Sequence, residues 1–101
     1  MSTALVLKME FSLPIYIKRE SDNVKIAKLA ADDWELPLQI RCLEEWLVAQ
    51  EESLPKADYI ADIGFSMRPN ALGGGAILSV RAMSIMVKLG LKLYLSEYPD
   101  D

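Results

Sequence analysis

The sequence has no histidine and only one cysteine among its 101 residues. The chain therefore lacks the commonest general base in enzymes and the commonest metal ligand in proteins. Cys42 has neither a histidine to activate it nor a second cysteine for an internal disulfide. Because it lies within a predicted helix, we interpret Cys42 as a packed, inert thiol. These absences predict a protein that is not an enzyme.

Apolar runs are short, and none approaches the roughly 20 residues that a membrane-spanning helix requires. The first residues alternate apolar and polar side chains, and they lack the unbroken apolar stretch of a signal peptide. We therefore expect a cytoplasmic protein. The length of 101 residues and the apolar fraction of 51% are typical of one globular domain, which we predict to cover residues 1–101.

Two motifs that could bind a ligand are incomplete. Asp32, Asp33 and Glu35 lack the alternating oxygen spacing and the following glycine of a calcium loop. Gly73–Gly75 precede a predicted helix, as phosphate-binding glycines do, but Ala76 follows where such a loop has lysine. We therefore predict no metal and no cofactor.

Three segments alternate apolar and polar side chains with a period of two, which predicts strands with one buried face. They are Leu5–Ile17, Tyr59–Met67 and Leu91–Leu95, and in each the odd-numbered residues are apolar. A shorter segment, Val24–Leu29, follows turn-forming residues and predicts the second strand of a hairpin.

Two other segments show helical signals. A single apolar stripe predicts a helix over residues 36–54 that ends before Pro55; its members are Leu36, Ile40, Leu43, Leu47 and Leu54. A second helix is predicted over residues 79–89, with Ser79 as its N-cap and Gly90 as its C-cap.

The resulting order is ββαβαβ. Since every strand is apolar on one side, we predict an α+β fold with a mainly antiparallel sheet and both helices packed on one of its faces. The other face of the sheet would then be exposed to solvent. The predicted exposed side chains are Glu10, Ser12, Tyr16, Asp62, Ser66, Arg68 and Tyr94.

Charge is distributed unevenly along the chain. Residues 32–62 carry nine acidic side chains against Arg41 and Lys56, a net charge of −7, whereas the whole chain has a net charge of −4. Such an acidic block attracts basic partners and repels nucleic acid and anionic membranes. The alternative interpretation is a helix with a solvated acidic face.

The two tryptophans have different settings. Trp34 precedes the first predicted helix, between Asp33 and Glu35. It is either a hydrophobic staple beneath the helix or an exposed aromatic anchor for a partner. Trp46 lies beside the apolar stripe of that helix and is predicted in the core or at its edge.

Several short motifs together resemble a family of small bacterial domains of unknown function. They are Trp34-Glu35-Leu36, Leu43-Glu44-Glu45-Trp46-Leu47, Leu89-Gly90-Leu91 and the closing Tyr98. The resemblance covers residues 33–98, and the first third of the chain departs from it. The family has no established activity and offers no catalytic residue. Small acidic domains of this kind often act as immunity proteins beside secreted toxins, so the resemblance implies that role.

We therefore expect an immunity protein that binds and neutralises a bacterial toxin, a nuclease with a basic surface that an acidic domain can occupy. The partner is a basic protein, and neither nucleic acid nor membrane is expected. The alternative is an adaptor, or a subunit of a homo-oligomer, that uses strand edges or the exposed sheet face. The predicted contact residues are Asp32, Asp33, Trp34, Glu35, Glu44, Glu45, Glu51 and Glu52.

Overall fold

The computed structural model describes residues 15–29, 35–66 and 75–98. In chain order the elements are β1 (Ile15–Arg19), β2 (Val24–Leu29), α1 (Leu36–Gln50), β3 (Tyr59–Ser66), α2 (Val80–Leu89) and β4 (Leu91–Tyr98). They form an α+β fold with two helices and a four-stranded mixed sheet of strand order β2-β1-β3-β4. Several predicted positions lie outside the described residues: the strand before Ile15, Asp32, Asp33, Trp34, and residues 67–74.

The direction of one strand differs from the prediction. β1 pairs antiparallel with both β2 and β3, as expected. β3 and β4 instead run parallel, from Tyr59 opposite Leu91 to Ser66 opposite Tyr98. The prediction of a mainly antiparallel sheet is therefore only partly met, because the sheet is mixed. The physical reason is the connection: α2 joins β3 to β4 as a crossover, which returns the chain to the end of the sheet where β3 began.

Both helices pack on one face of the sheet. β2 and β3 are each antiparallel to β1, so α1 is a crossover between two strands of equal direction. The two crossovers advance in the same direction across the sheet, and right-handed crossovers of that kind place their helices on the same side. One cluster of buried side chains accordingly joins both helices to the odd-numbered residues of the strands: Ile15, Ile17, Ile40, Leu43, Leu47, Tyr59, Ala61, Ile63, Ala82, Ile85, Met86, Leu89 and Leu91.

The odd-numbered pattern fails at the far end of β4. Leu91 is buried, but Leu95 is 50% exposed, and the strand continues to Tyr98. α2 has ten residues and is about 15 Å long, whereas the eight residues of β4 span about 26 Å. The helix therefore covers only the part of the strand nearest to it, and Leu95 lies beyond that cover.

The start of α1 agrees with the prediction, but its end does not. The helix begins at Leu36, with Pro37 in its first turn. It ends at Gln50 rather than at residue 54, and a turn follows in which the backbone N–H groups of Ser53 and Leu54 both donate to the carbonyl of Gln50. Leu54 still packs against the core, which explains why it continued the apolar stripe in the sequence.

Both predicted caps of α2 are confirmed. The hydroxyl of Ser79 accepts a hydrogen bond from the backbone N–H of Ala82 at 3.0 Å. Gly90 has the left-handed φ of 82°, and its N–H donates to the carbonyl of Met86 at 2.8 Å. A Cβ atom at residue 90 would also collide with the carbonyl oxygen of Ala57, so the position requires glycine for two reasons.

Neither helix has the combination of length and apolar sequence that crossing a membrane would need, as far as the described residues show. Trp46 and Cys42 are half-buried and pack against the core cluster, as predicted.

Candidate functional site

Glu44, a predicted contact residue, lies half-buried between the two helices. Its carboxylate accepts a hydrogen bond from the backbone N–H of Ser79 at 2.7 Å. Ser79 is the N-cap of α2, where the helix dipole and the unsatisfied N–H groups favour a negative charge. Glu44 therefore holds the start of α2 against α1.

Glu51 and Glu52 follow α1 and contact the basic residues of α2. Glu51 pairs with Arg81 at 3.3 Å and with Lys88 at 3.9 Å, and Lys88 also lies 3.3 Å from Glu52. The side chain of Glu51 is 24% exposed and that of Glu52 is 87% exposed. Glu51 is therefore part of the contact between the helices, whereas Glu52 remains available to a partner.

The four predicted glutamates of this region do not form one ridge. Glu44 and Glu51 are about two helical turns apart and both face α2. Glu45 and Glu52 each directly follow one of these residues in the chain, so they lie on a different side and are exposed. Only the second pair faces solvent on the outer side of the helices.

The remaining predicted contacts lie at the start of α1. Glu35 is exposed at the N-cap position, but its side chain makes no capping hydrogen bond. Asp32, Asp33 and Trp34 are outside the described residues, and both interpretations of Trp34 stay predictions.

The outward side of α2 carries an apolar stripe that the sequence analysis missed. Val80 and Val87 are each 76% exposed, and Met83 is 44% exposed. These residues recur at spacings of three and four, so they share one side of the helix, away from the buried stripe that begins at Ala82. The spacing of three and four residues is visible in the sequence and could have predicted this exposed stripe.

The exposed residues of the two helices together define a candidate contact surface. We call it the outer helical surface and define it by Glu45, Val48, Glu52, Val80, Met83 and Val87. Val48 is 48% exposed on α1, and the ion pairs of Glu51 and Glu52 with the exposed cations of α2 connect the two helices at this surface. An apolar patch bordered by charged side chains is the usual composition of a protein contact surface.

The second candidate surface is the face of the sheet opposite the helices, which we call the open sheet face. Tyr16 is directly opposite Lys28 on β2 and Asp62 on β3, and Asp62 is directly opposite Tyr94 on β4. These four residues form a row across the whole sheet, and Tyr94 is 55% exposed. The predicted face residues Tyr16, Asp62, Ser66 and Tyr94 thus lie where expected, while Glu10, Ser12 and Arg68 are outside the described residues.

Tyr98 extends the open sheet face beyond the predicted end of β4. Burial raises the pKa of its hydroxyl above the ordinary value, and the negative charge of Asp62 raises that pKa further. Asp62 itself accepts a hydrogen bond from the hydroxyl of Ser96 at 2.7 Å. Tyr98, Asp62 and Ser96 are therefore neighbours on one surface.

Comparisons with known proteins do not indicate what either surface binds. No family model, no curated protein and no solved structure matches the chain. The resemblance to small bacterial domains therefore stays a prediction. Within residues 15–29, 35–66 and 75–98, no three acidic or cysteine side chains come together as a metal site would require.

Proposed function

We propose that this chain is a cytoplasmic immunity protein that neutralises a basic bacterial toxin domain by binding it through the outer helical surface. The observation that supports the proposal is the exposed apolar stripe of Val80, Met83 and Val87. Single exposed apolar residues are common on soluble proteins, but a contiguous stripe along one helix is typical of a partner contact.

Charge on the same surface favours a basic partner. Glu45 and Glu52 are exposed on the α1 side of the outer helical surface, Glu52 beside its ion-pair partner Lys88, so a lysine- or arginine-rich surface such as that of a nuclease would be attracted to them. Burial of the valines would supply most of the affinity, since apolar contacts at the centre of an interface are fully desolvated. The carboxylates would mainly raise the association rate.

The inward glutamates contribute indirectly in this proposal. Glu44 and Glu51 tie α1 to α2, so the two helices present the surface without rearrangement. A surface that is already ordered loses less conformational entropy on binding. The chain then acts by occupying the toxin's surface and needs no turnover of its own.

The test uses the product of the gene directly upstream, where a toxin partner of an immunity protein is expected. Val80→Asp combined with Val87→Asp should weaken the complex by at least about 100-fold, measured by calorimetry, and should abolish protection of cells that express the toxin. Val24→Asp is the control, because Val24 is 44% exposed and lies on β2 rather than on a helix. Equal binding by the double variant and the control would contradict the proposal.

An adaptor that uses the open sheet face is the second candidate, favoured by the row that runs from Lys28 to Tyr94. In that case Tyr94→Ala, and not the double valine variant, should weaken the complex.

A further inference from the structure

The open sheet face has a composition unlike that of the rest of the molecule. Aromatic side chains occupy three positions on it: Tyr16, Tyr94 and Tyr98. Tyr16 and Tyr94 lie two strands apart, about 10 Å, and Tyr94 and Tyr98 lie about 13 Å apart along β4. The rings therefore line a path of roughly 20 Å across the sheet, at separations of the order of one or two nucleotides of an extended strand.

Unneutralised lysines border the same path. No carboxylate forms an ion pair with Lys18, Lys25 or Lys28 in the described part of the chain, whereas the cations of α2 pair with Glu51 and Glu52. Lys25 and Lys28 are exposed on β2, and Lys18 is half-buried on β1. Positive charge is therefore concentrated on one half of the open sheet face.

The cationic and aromatic groups are in direct contact at one point. The Nζ atom of Lys25 lies 4.6 Å from the centroid of the Tyr16 ring. This juxtaposition places a phosphate-binding cation beside a ring on which a base can stack, which is the combination that binds single strands without sequence preference.

We propose that the open sheet face binds single-stranded nucleic acid, with bases stacked on Tyr16, Tyr94 and Tyr98 and phosphates held by Lys18, Lys25 and Lys28. A duplex is a poorer match, because its major groove does not admit a four-stranded sheet and its paired, stacked bases do not offer their faces to the tyrosine rings. An acidic peptide would neutralise the charges of the lysines, but it would offer no planar groups to stack on the tyrosine rings.

The acidic side chains of the helical layer do not oppose this site. The acidic side chains Glu44, Glu45, Glu51 and Glu52 lie on or between the helices, on the other side of the sheet. A helix layer is about 10 Å thick, and at physiological ionic strength the screening length is about 8 Å. The sequence-based expectation of no nucleic acid rested on the acidic block of residues 32–62. The fold separates these four glutamates from the open sheet face, whereas Asp62 of the same block lies on that face.

Asp62 is the one carboxylate of the tyrosine row. It lies between Tyr16 and Tyr94, where the strand would present bases rather than phosphates. One carboxylate oxygen accepts the hydrogen bond from Ser96, so Asp62 is held on the sheet where its other oxygen can accept from the exocyclic amine of a base. This site is independent of the outer helical surface and does not rest on the immunity function.

The test measures fluorescence anisotropy of a labelled 12-nucleotide single strand, in DNA and RNA form, over a series of salt concentrations. We expect micromolar binding that weakens as salt rises, because phosphate contacts release counterions. Tyr16→Ala and Tyr94→Ala should each lower the affinity about fivefold or more, whereas Tyr94→Phe should keep it, since the ring still stacks. Lys25→Glu with Lys28→Glu should abolish binding.

Arg41→Glu is a control charge reversal away from the sheet, because Arg41 is exposed on α1, and it should leave the affinity unchanged. Circular dichroism of every variant establishes that it is folded. The proposal is overturned if the protein does not bind the single strand, if a duplex of equal length binds as tightly, or if the alanine variants bind normally. It is also overturned if polyglutamate or vesicles with anionic headgroups bind the same face more tightly than the oligonucleotide.

Discussion

The carboxylate of Glu44 and the backbone N–H of Ser79 form a 2.7 Å hydrogen bond that joins the two helices. Ser79 uses its hydroxyl at the same time to cap α2 through Ala82. One residue of the acidic block is therefore a structural element of the helical layer, and its removal should be visible as a loss of stability.

We expect Glu44→Leu to lower the free energy of unfolding by about 2 kcal/mol, because a hydrogen bond to a charged acceptor is lost at a half-buried position. Urea denaturation measures the change. Glu45→Leu is the control on the exposed side of the same helix and should change stability by less than about 0.5 kcal/mol. Equal effects of the two substitutions would show that the hydrogen bond between Glu44 and Ser79 does not stabilise the fold.

The different roles of Glu44 and Glu45 mark the limit of what the sequence predicts. Local periodicity records which side of an element is buried, so both helices and the inward residues of β1 and β3 could be predicted. Periodicity does not record where another helix packs. The pairing of Glu44 with Ser79 and of Glu51 with Arg81 is a long-range fact of that packing.

Strand direction cannot be predicted from the sequence for the same reason, because local periodicity does not record long-range packing. A period of two predicts a buried face for β4 in either direction, and only the crossover through α2 makes the β3–β4 pair parallel. The buried Gln39 is a further long-range feature, since its side-chain amide donates to the carbonyl of Gly64 at 2.7 Å. In the sequence it is a polar residue beside an apolar stripe, with no local sign of its partner.

Gly90 should be intolerant of any side chain. Gly90→Ala combines a left-handed φ of 82° with a collision against the carbonyl of Ala57, and we expect it to cost more than about 2 kcal/mol of unfolding free energy. Thermal denaturation tests this prediction. Ser84→Ala, at an exposed position of α2, is the control and should leave the melting temperature within a few degrees. A Gly90→Ala variant as stable as this control would contradict the described turn.

Tyr98 should make stability depend on alkaline pH. Burial, and then the charge of Asp62, raise the pKa of Tyr98 in the folded state. A group with a raised folded pKa contributes stability below its unfolded pKa, and that contribution is lost as pH rises through the folded value. From about pH 10 upward, the wild type should therefore lose more stability than Tyr98→Phe, as measured by urea denaturation across that range.

The control for this effect is Tyr94→Phe, which removes a more exposed hydroxyl of the same strand. Tyr98→Phe should remove part of the late-titrating tyrosinate absorbance of the wild type, because the pKa of Tyr98 is raised, whereas Tyr94→Phe should retain that part. Loss of the late titration in both variants would assign the raised pKa to the pair rather than to Tyr98.

Charge reversal on the outer helical surface should change association kinetics with a basic partner. Glu45→Lys should lower the association rate and reduce its dependence on salt, with little effect on the dissociation rate, because Glu45 borders the surface without filling its centre. Glu97→Lys makes the same change in net charge at an exposed position of β4 and is the matched control. Surface plasmon resonance with the upstream gene product, repeated at several salt concentrations, separates the two rates. If both reversals slow association equally, the partner is attracted by the net charge of the chain, and Glu45 has no particular place in the contact.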